Sequence, residues 1–177
     1  ATKLGWHLLD SGAIYRVLAY AATLQGVDVN NEEKLAQLAQ VMNVRFVPAE
    51  DGVPQVFLNG DDVSAAIRTE ENSKLTSPIS AFPKVRRALV KSQQNFRQMP
   101  GLVTDGRDMG TVIFPDAQLK LYLTASSTER AKRRYKQLLN QGINANLAQV
   151  LDELEQRDAR DQARQVSPLK PAEDAVI

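Results

Sequence analysis

Short apolar runs alternate along the chain with longer segments that carry an apolar residue at every third or fourth position. The run at residues 6–9 precedes a helical pattern that Gly26 ends, and residues 30–42 repeat that pattern behind the capping pair Asn30 and Glu33. Because strands that alternate with helices build parallel sheets, the pattern predicts an α/β domain.

One segment departs from this alternation. Residues 44–47 and 55–58 are short strand patterns joined by residues 48–54, and an Asn-Gly turn at 59–60 leads into a further short segment that ends near Val63. A tight turn makes neighbouring strands antiparallel, so we expect a small antiparallel subdomain inserted into the α/β core.

The part of the chain after the inserted segment contains four helical patterns and two short apolar runs. The helices are predicted at residues 70–79, 83–97, 126–142 and 146–165, and the strands at 102–103 and 119–123. Ser126 and Glu129 have the spacing of a capping box, and Pro83 stands at a helix start, where its missing N–H is not needed. The α/β alternation therefore continues after the inserted segment.

Composition narrows the class of protein without assigning a chemistry. The 177 residues suffice for one domain with a buried core, and the formal net charge of +1 gives no overall field that would draw nucleic acid or a membrane surface. The absence of cysteine excludes disulfides, thiolate metal sites and a cysteine nucleophile, and favours a reducing cytoplasm. The one histidine, His7, falls in a predicted core strand, so we expect a structural role for it and no histidine-based metal site.

Both ends of the sequence have the pattern of an element in progress. Residues 1–5 resemble the last turn of a helix, no methionine begins the chain, and residues 174–177 resemble the first residues of a strand. We therefore expect the sequence to be an internal piece of a longer protein.

The densest cluster of charge is the segment Thr104-Asp-Gly-Arg-Asp-Met-Gly110, which follows an apolar run. It places Asp105, Arg107 and Asp108 within four residues, which is more charge than a turn requires. Open α/β sheets bind ligands at the carboxyl ends of their strands, so this segment predicts a binding site. Either Asp105 or Arg107 alone would be explained by a polar turn.

Two weaker clusters lie earlier in the chain. Asp10 and Ser11 begin a predicted helix whose free N–H groups and dipole suit an anion, and Arg16 follows on the same helix. Ser77 and Arg86 flank a Phe-Pro pair. A capped helix with polar surface residues would explain each cluster when it is taken alone.

Arginine outnumbers lysine 13 to 9 and is concentrated on two predicted helices. Each set has helical spacings that place its members on one face: Arg130, Arg133 and Arg134 on one helix, Arg157, Asp161 and Arg164 on the other. Surface ion pairing is one explanation, and anion binding by forked guanidinium groups is the other. Guanidinium groups and carboxylates without a nucleophile suit phosphoryl transfer, in which the protein positions the reactants and neutralises charge.

Four segments resemble, in order and in spacing, the bacterial cytidylate kinases. They are Leu9-Asp-Ser-Gly-Ala-Ile-Tyr-Arg16, Asp105-Gly-Arg-Asp-Met-Gly-Thr-Val-Ile-Phe-Pro-Asp116, Ser126-Ser-Thr-Glu-Arg-Ala-Lys-Arg-Arg134 and Arg157-Asp-Ala-Arg-Asp-Gln-Ala-Arg164. The resemblance implies an α/β P-loop kinase fold with a parallel-sheet core, an inserted antiparallel subdomain that binds the nucleoside monophosphate (NMP), and a helical lid. The implied boundaries are 1–37, 71–125 and 165–177 for the core, 38–70 for the NMP-binding subdomain and 126–164 for the lid.

The resemblance also implies an enzyme that transfers the γ-phosphoryl group of ATP, with Mg²⁺, to CMP or dCMP. Residues at matching positions would hold the CMP phosphate (Arg16, Arg107, Arg164), read cytosine (Ser77, Arg86, Asp108) or meet the sugar (Arg157, Asp161). Ser11 would lie close to the acceptor nucleotide. We expect a cytoplasmic monomer with no nucleic-acid or membrane partner.

Three further residues have implied roles in the transfer itself. Arg130 and Arg134 would be lid arginines that close over the transferring phosphoryl group. Asp105 would help to hold the magnesium shell, although no residue of the chain is expected to ligate the metal directly.

The implied reading of cytosine is physically consistent. A carboxylate such as that of Asp108 accepts a hydrogen bond from the cytosine amino group, and Arg86 can donate to N3 and O2 of the ring. Uracil would present a carbonyl oxygen to Asp108 and an N–H to Arg86, so both contacts would be repulsive or unpaired.

The sequence departs from the family in two respects, and one is that the family's carboxyl-terminal strand and helix are absent from the 177 residues. No Gly-x-x-x-x-Gly-Lys-Ser/Thr segment occurs in the 177 residues, and in the family that phosphate-binding loop would lie upstream of Ala1. We therefore expect the chain to bind CMP better than it catalyses transfer. The alternatives are another NMP kinase or a shikimate kinase, a non-catalytic nucleotide-binding module, and an arginine-rich protein that docks an anionic partner.

Overall fold

The computed structural model describes residues 1–49, 52–140, 142–164 and 167–177. Contacts divide the chain into two units, Ala1–Met109 and Gly110–Ile177, which are described in turn. No described helix is long and apolar enough to cross a membrane.

A two-stranded parallel sheet positions the charged segments of the first unit. Strand β1 (His7–Asp10) pairs with β5 (Leu102–Asp105), in register from His7 opposite Leu102 to Asp10 opposite Asp105. The last residue of each strand is thus a carboxylate, and the two lie side by side. The predicted parallel arrangement is confirmed.

The described part of the first unit also contains four α-helices. They are α1 (Ser11–Leu24), α2 (Glu32–Val41), α3 (Glu70–Ile79) and α4 (Pro83–Gln94). Helix α1 packs against α3, and α2 packs against α4. Their apolar faces meet in a core whose fully buried side chains include Leu9, Ile14, Leu18, Ile79 and Leu89. This packing fixes the amino end of α1 and the inner face of α4.

The inserted antiparallel subdomain forms as the sequence predicts. Strand β3 (Gln55–Leu58) pairs with β2 (Val44–Val47) on one side and with the short β4 (Asp61–Asp62) on the other. Asn59, with a φ of 53°, and Gly60 make the turn between β3 and β4. Positions 50 and 51 of the predicted connection lie outside the described residues.

The second unit is built around a helical hairpin of α5 (Ser127–Asn140) and α6 (Leu147–Gln162). Ala131, Leu138 and Val150 form a small buried cluster between the two helices, with Leu151 and Leu154 packed against it. The side chain of Ser126 accepts a hydrogen bond from Glu129 N at 3.2 Å, as its predicted capping role requires. The predicted end of the second helix at Gln165 lies outside the described residues.

The predicted strand at 119–123 does not form a regular strand. It makes one parallel bridge, between Leu121 and Val176, with hydrogen bonds from Tyr122 N to Val176 O and from Val176 N to Lys120 O. An apolar run becomes a strand only where a partner backbone lies along its length, and here the partner meets it at a single bridge.

Two predictions about the first unit are wrong. Asn31 rather than Asn30 caps α2, because the Asn30 side chain donates instead to Asp28 within the preceding turn. His7 is exposed rather than buried in the core, and its Nε2 lies 3.0 Å from the backbone oxygen of Met99. The strand is buried at Leu9, two residues further along.

Candidate functional site

The carboxyl ends of β1 and β5 bring two carboxylates together. Asp10 and Asp105 are register partners at the ends of the two strands. Although Asp105 is exposed as a residue, partial desolvation of its carboxyl group raises its pKa, and the neighbouring charge of Asp10 adds to this rise, while Arg16 opposes it. The site therefore concentrates negative charge beside one cation.

Helix α1 begins at this same point. Asp10 caps it by accepting a hydrogen bond from Ala13 N at 2.8 Å, and Arg16 Nη2 lies 3.9 Å from Asp10 Oδ2. The Nε of Arg16 is buried and has no hydrogen-bond partner among the described residues. A buried N–H donor beside the positive end of a helix dipole suits an anionic oxygen such as that of a phosphate.

Two of the three side chains expected to read cytosine, Arg86 and Asp108, lie in contact with each other. Arg86 Nη2 of α4 donates to Asp108 Oδ2, and the side chains are 5% and 6% exposed, so this is a buried ion pair. Arg86 Nη1 also donates to the backbone oxygen of Ser80 at 3.0 Å, and its guanidinium lies 5.6 Å from the centre of the Tyr15 ring. Arg86 Nε is buried with no partner among the described residues. The pair is thus held from several sides.

The other two predicted residues of this region lie in less enclosed positions. Ser77 is half-buried on α3, and its backbone oxygen accepts from the hydroxyl of Ser80, the residue whose own carbonyl holds Arg86. Arg107 is half-buried in the loop between Asp105 and Asp108. Ser77 therefore connects to the pair through one intermediate residue.

Ser11 lies beneath the loop that follows β5. Its side chain is buried, and its hydroxyl donates to Gln93 Oε1 of α4 at 2.7 Å. A Cβ atom on Gly106 would come within 2.8 Å of Ser11 Cβ, so the loop backbone rests directly on this serine. The Ser11 hydroxyl is thus directed into the interior of the first unit.

In the second unit, the predicted lid arginines have partners within the helical hairpin. Arg130 Nη2 on α5 donates to Asp158 Oδ2 on α6 at 2.5 Å, and its Nε donates to the backbone oxygen of Ala125 at 3.2 Å. The hydrogen bond to Asp158 raises the pKa of Arg130. Arg134 Nη1 donates to Gln137 Oε1 at 3.1 Å.

The predicted residues of α6 occupy different environments. Asp161 is 1% exposed and accepts a hydrogen bond from Arg164, which follows the end of the helix. The backbone oxygen of Asp161 also accepts from Leu169 N at 2.9 Å, so this residue anchors the segment after α6. Arg157 is exposed.

Comparison with known proteins identifies the family. The family model for cytidylate kinase matches residues 1–177. The chain belongs to the cytidylate kinase family. It is 56% identical over 177 residues to a cytidylate kinase of Pasteurella multocida, which covers all of this chain and 78% of that protein. It is 54% identical over 177 residues to a cytidylate kinase of Klebsiella pneumoniae, with the same two coverages. A third relative, a cytidylate kinase of Stutzerimonas stutzeri, is 56% identical over 99% of the chain and 77% of its own length.

Two neighbouring carboxylates of the first unit, Asp10 and Asp105, could accompany a metal ion. Within the residues that the structure describes, no group of three or more Asp, Glu, His or Cys side chains is arranged to hold a metal by itself. Magnesium in kinases is commonly held by one or two carboxylates together with waters and substrate phosphates. The adjacent carboxylates of Asp10 and Asp105 fit that smaller role.

Sequence reasoning missed three residues that shape this cytidylate kinase site. Asp10 was treated only as a helix cap, although it ends a strand that a parallel pairing places beside Asp105. The ring of Tyr15 and the carbonyl of Ser80 both position Arg86. The sequence could have indicated Asp10, because Asp10 and Asp105 each follow an apolar run that predicts a strand. No sequence pattern indicates that the backbone carbonyl of Ser80 holds Arg86.

A large cleft lies elsewhere in the first unit. It has a volume of about 850 Å³, and its lining includes Trp6, His7, Phe46 and Lys91. None of the described residues that line it belongs to the predicted nucleotide site. A large volume is not by itself evidence of function, so we do not assign the nucleotide site to this cleft.

Proposed function

We propose that this chain carries the acceptor-nucleotide site of an enzyme that transfers the γ-phosphoryl group of ATP to CMP or dCMP, giving CDP or dCDP. The observation that carries the proposal is the buried contact between Arg86 and Asp108, two of the three residues expected to read cytosine. A buried ion pair costs desolvation free energy, so its retention beside a loop rich in charge favours a role in recognition over one in stability alone.

Base recognition follows from the hydrogen-bonding groups of this pair. The carboxylate of Asp108 accepts from the exocyclic amino group of cytosine, and Arg86, held by Ser80 and Tyr15, donates to the acceptors N3 and O2. Ser77 adds a hydroxyl from α3. Uracil reverses the donor and acceptor pattern at both positions, which disfavours UMP.

Phosphate and sugar recognition are assigned to residues at the family's positions. Arg16, Arg107 and Arg164 would hold the phosphate of CMP, because guanidinium groups form forked hydrogen bonds to phosphate oxygens. The Nε of Arg16, which is buried and has no hydrogen-bond partner in the described part of the chain, supports the first of these assignments. Arg157 and Asp161 would meet the sugar.

Phosphoryl transfer needs charge neutralisation more than covalent chemistry from the protein. Arg130 and Arg134 would supply positive charge to the transferring group, and for Arg130 this requires an exchange of its partner Asp158 for phosphate oxygens. Asp105, with Asp10 beside it, would hold the water shell of Mg²⁺. The metal ion, when bound, neutralises the phosphate charge that develops during transfer.

The cellular setting is part of the same proposal. A near-zero net charge and the absence of cysteine support a cytoplasmic enzyme that acts on small molecules. We assign it no nucleic-acid or membrane partner and a monomeric state.

The test measures binding of the acceptor nucleotide rather than phosphoryl transfer. The 177 residues contain no Gly-x-x-x-x-Gly-Lys-Ser/Thr loop, which is the segment that binds the phosphates of ATP. Calorimetric titration of the 177-residue chain with CMP, dCMP, UMP and AMP should give affinities for CMP and dCMP that exceed those for the other two by about tenfold or more. Tighter binding of UMP or AMP, or no binding of any of the four, would contradict the proposal.

A further inference from the structure

We propose that Gln93, a residue outside the assigned nucleotide contacts, is a positioning residue that sets the geometry of the Asp105–Asp108 loop through Ser11. The proposal rests on the proposed function of that loop in reading cytosine. Gln93 is 1% exposed on the inner face of α4, and a fully buried amide is costly unless each of its polar atoms has a partner.

The hydrogen bonds of Gln93 fix the direction of its amide. Its Nε2 donates to the backbone oxygen of Leu89 at 3.3 Å, and a carbonyl can only accept. The amide oxygen must therefore face Ser11, whose hydroxyl donates to it at 2.7 Å. Both side chains are left with one arrangement, so Ser11 is held at a defined distance from α4.

Ser11 in turn supports the loop. The backbone at Gly106 approaches so closely that a Cβ atom there would lie 2.8 Å from Ser11 Cβ and 2.9 Å from Met109 Cγ. Gly106 is the centre of the loop, with Asp105 before it and Arg107 and Asp108 after it. A displacement of Ser11 would therefore move the segment that carries all three charged side chains.

Helix α4 consequently holds the loop at two points. Arg86 and Gln93 are seven residues apart, which places them on one face of the helix two turns apart. Arg86 contacts Asp108 directly, and Gln93 reaches Gly106 through Ser11. Two attachments to one rigid helix fix the orientation of Asp108 as well as its distance from α4. Selective recognition of a base edge requires a fixed orientation.

The proposal is tested with Gln93→Leu, which removes the amide and leaves the Ser11 hydroxyl buried without its acceptor. We expect the ratio of CMP to UMP affinity, measured by calorimetry on the 177-residue chain, to fall by about five- to thirty-fold. Ser11→Ala should lower the ratio as well, because it leaves the Gln93 amide oxygen without its donor. The double variant keeps a Cβ atom against Gly106 and leaves neither partner unsatisfied, so its loss should be smaller than the sum of the two single losses.

Matched controls separate positioning from folding. Gln37→Leu changes an exposed glutamine on α2 and should leave the ratio unchanged. The binding stoichiometry reports the folded fraction, so a purely structural role for Gln93 would lower stoichiometry or melting temperature while the ratio stays constant. That outcome, or additive losses in the double variant, would overturn the inference. If Gln93→Leu does not fold, Gln93→Met, which is unbranched and of similar length, takes its place in the same comparison.

Failure of the proposed function gives a different result. If the wild-type chain shows no preference for CMP over UMP, the function of the loop is wrong whatever the variants do. If the wild-type chain prefers CMP and Gln93→Leu keeps the full preference, only the role of Gln93 is wrong.

Discussion

At the scale of single residues, one short loop places three charged side chains in three environments. Asp108 is buried against Arg86, Arg107 is half-buried, and Asp105 ends a strand beside Asp10. The environment rather than the residue type decides what each can do. Asp108 is held to accept hydrogen bonds in a fixed direction, whereas Asp105 shares its surroundings with a second carboxylate, which favours a cation nearby.

The pKa of Asp105 leads to a prediction about stability. Partial desolvation of the carboxyl group, with a further contribution from Asp10, raises this pKa, so the folded protein binds the proton at a higher pH than the unfolded chain does. The charged carboxylate therefore disfavours folding above the raised pKa, and this penalty disappears as the pH falls towards the ordinary aspartate value of about 3.9.

Asp105→Asn should consequently be more stable than the wild type at neutral pH. Urea denaturation between about pH 4 and pH 8 should show that its advantage in free energy of unfolding shrinks as the pH falls. An advantage that grows towards low pH would mean that the pKa of Asp105 is lowered rather than raised.

The sequence predicts clusters of charged residues that are neighbours in the chain. It does not predict which distant residues pack against them. The cluster of Asp105, Arg107 and Asp108 was visible because its members adjoin in the chain. The burial of Asp161 and the direction of the Ser11 hydroxyl depend on residues that packing brings close, such as Gln93, which lies 82 positions from Ser11. Periodicity carries no information about such partners.

At the scale of elements, the hairpin of α5 and α6 depends on its caps and on polar contacts between the helices, among them the hydrogen bond from the Ser127 hydroxyl to Glu155 Oε1 at 2.9 Å. Its buried cluster is small, with Ala131, Leu138 and Val150 as its buried members. The ion pair of Arg130 with Asp158 joins the two helices, and Ser126 caps the first of them. A hairpin with so small a core relies more heavily on each local interaction than the large core of the first unit does.

The amino-terminal cap of α6 is the clearest of these interactions. The side chain of Asn146 accepts hydrogen bonds from Ala148 N at 2.9 Å and Gln149 N at 3.2 Å. Asn146→Ala should weaken the first turn of α6 by about 1 kcal/mol, which is about fivefold faster amide exchange at Ala148 and Gln149. Hydrogen exchange followed by NMR measures this, and Asn144→Ala, at an exposed position two residues earlier, is the control. Unchanged protection in Asn146→Ala would show that the cap contributes nothing.

Sequence patterns predict the ends of several helices correctly but do not predict strand pairing. Caps and helix starts such as Ser126 and Pro83 were predicted correctly because they depend on residues three or four positions apart. The strand at 119–123 was not, because a strand needs a partner along its whole length and the apolar pattern does not contain that partner. Pairing is a property of two segments, and a single segment cannot reveal it.

At the scale of the whole molecule, opposite charges nearly balance, and several of them form ion pairs within each unit. The 22 basic and 21 acidic residues almost cancel, yet each unit holds arginines against carboxylates of its own, as Arg86 with Asp108 and Arg164 with Asp161. An incoming nucleotide must therefore compete with, or add to, pairs that already exist. Selectivity then depends on which pairs match the hydrogen-bonding pattern of the base.

We propose that Asp108 reads the cytosine amino group, and a comparison of CMP and UMP affinities tests this role. CMP and UMP are titrated into the wild-type chain, into Asp108→Ala and into the control Asp61→Ala, which changes an exposed carboxylate of β4. Binding is normalised to the folded fraction, because removal of Asp108 leaves the charge of Arg86 buried without its partner. The ratio of CMP to UMP affinity should fall by about five- to 150-fold in Asp108→Ala, which corresponds to about 1–3 kcal/mol, and stay at the wild-type value in the control. A ratio that is unchanged in folded Asp108→Ala would contradict the assignment of cytosine recognition to this loop.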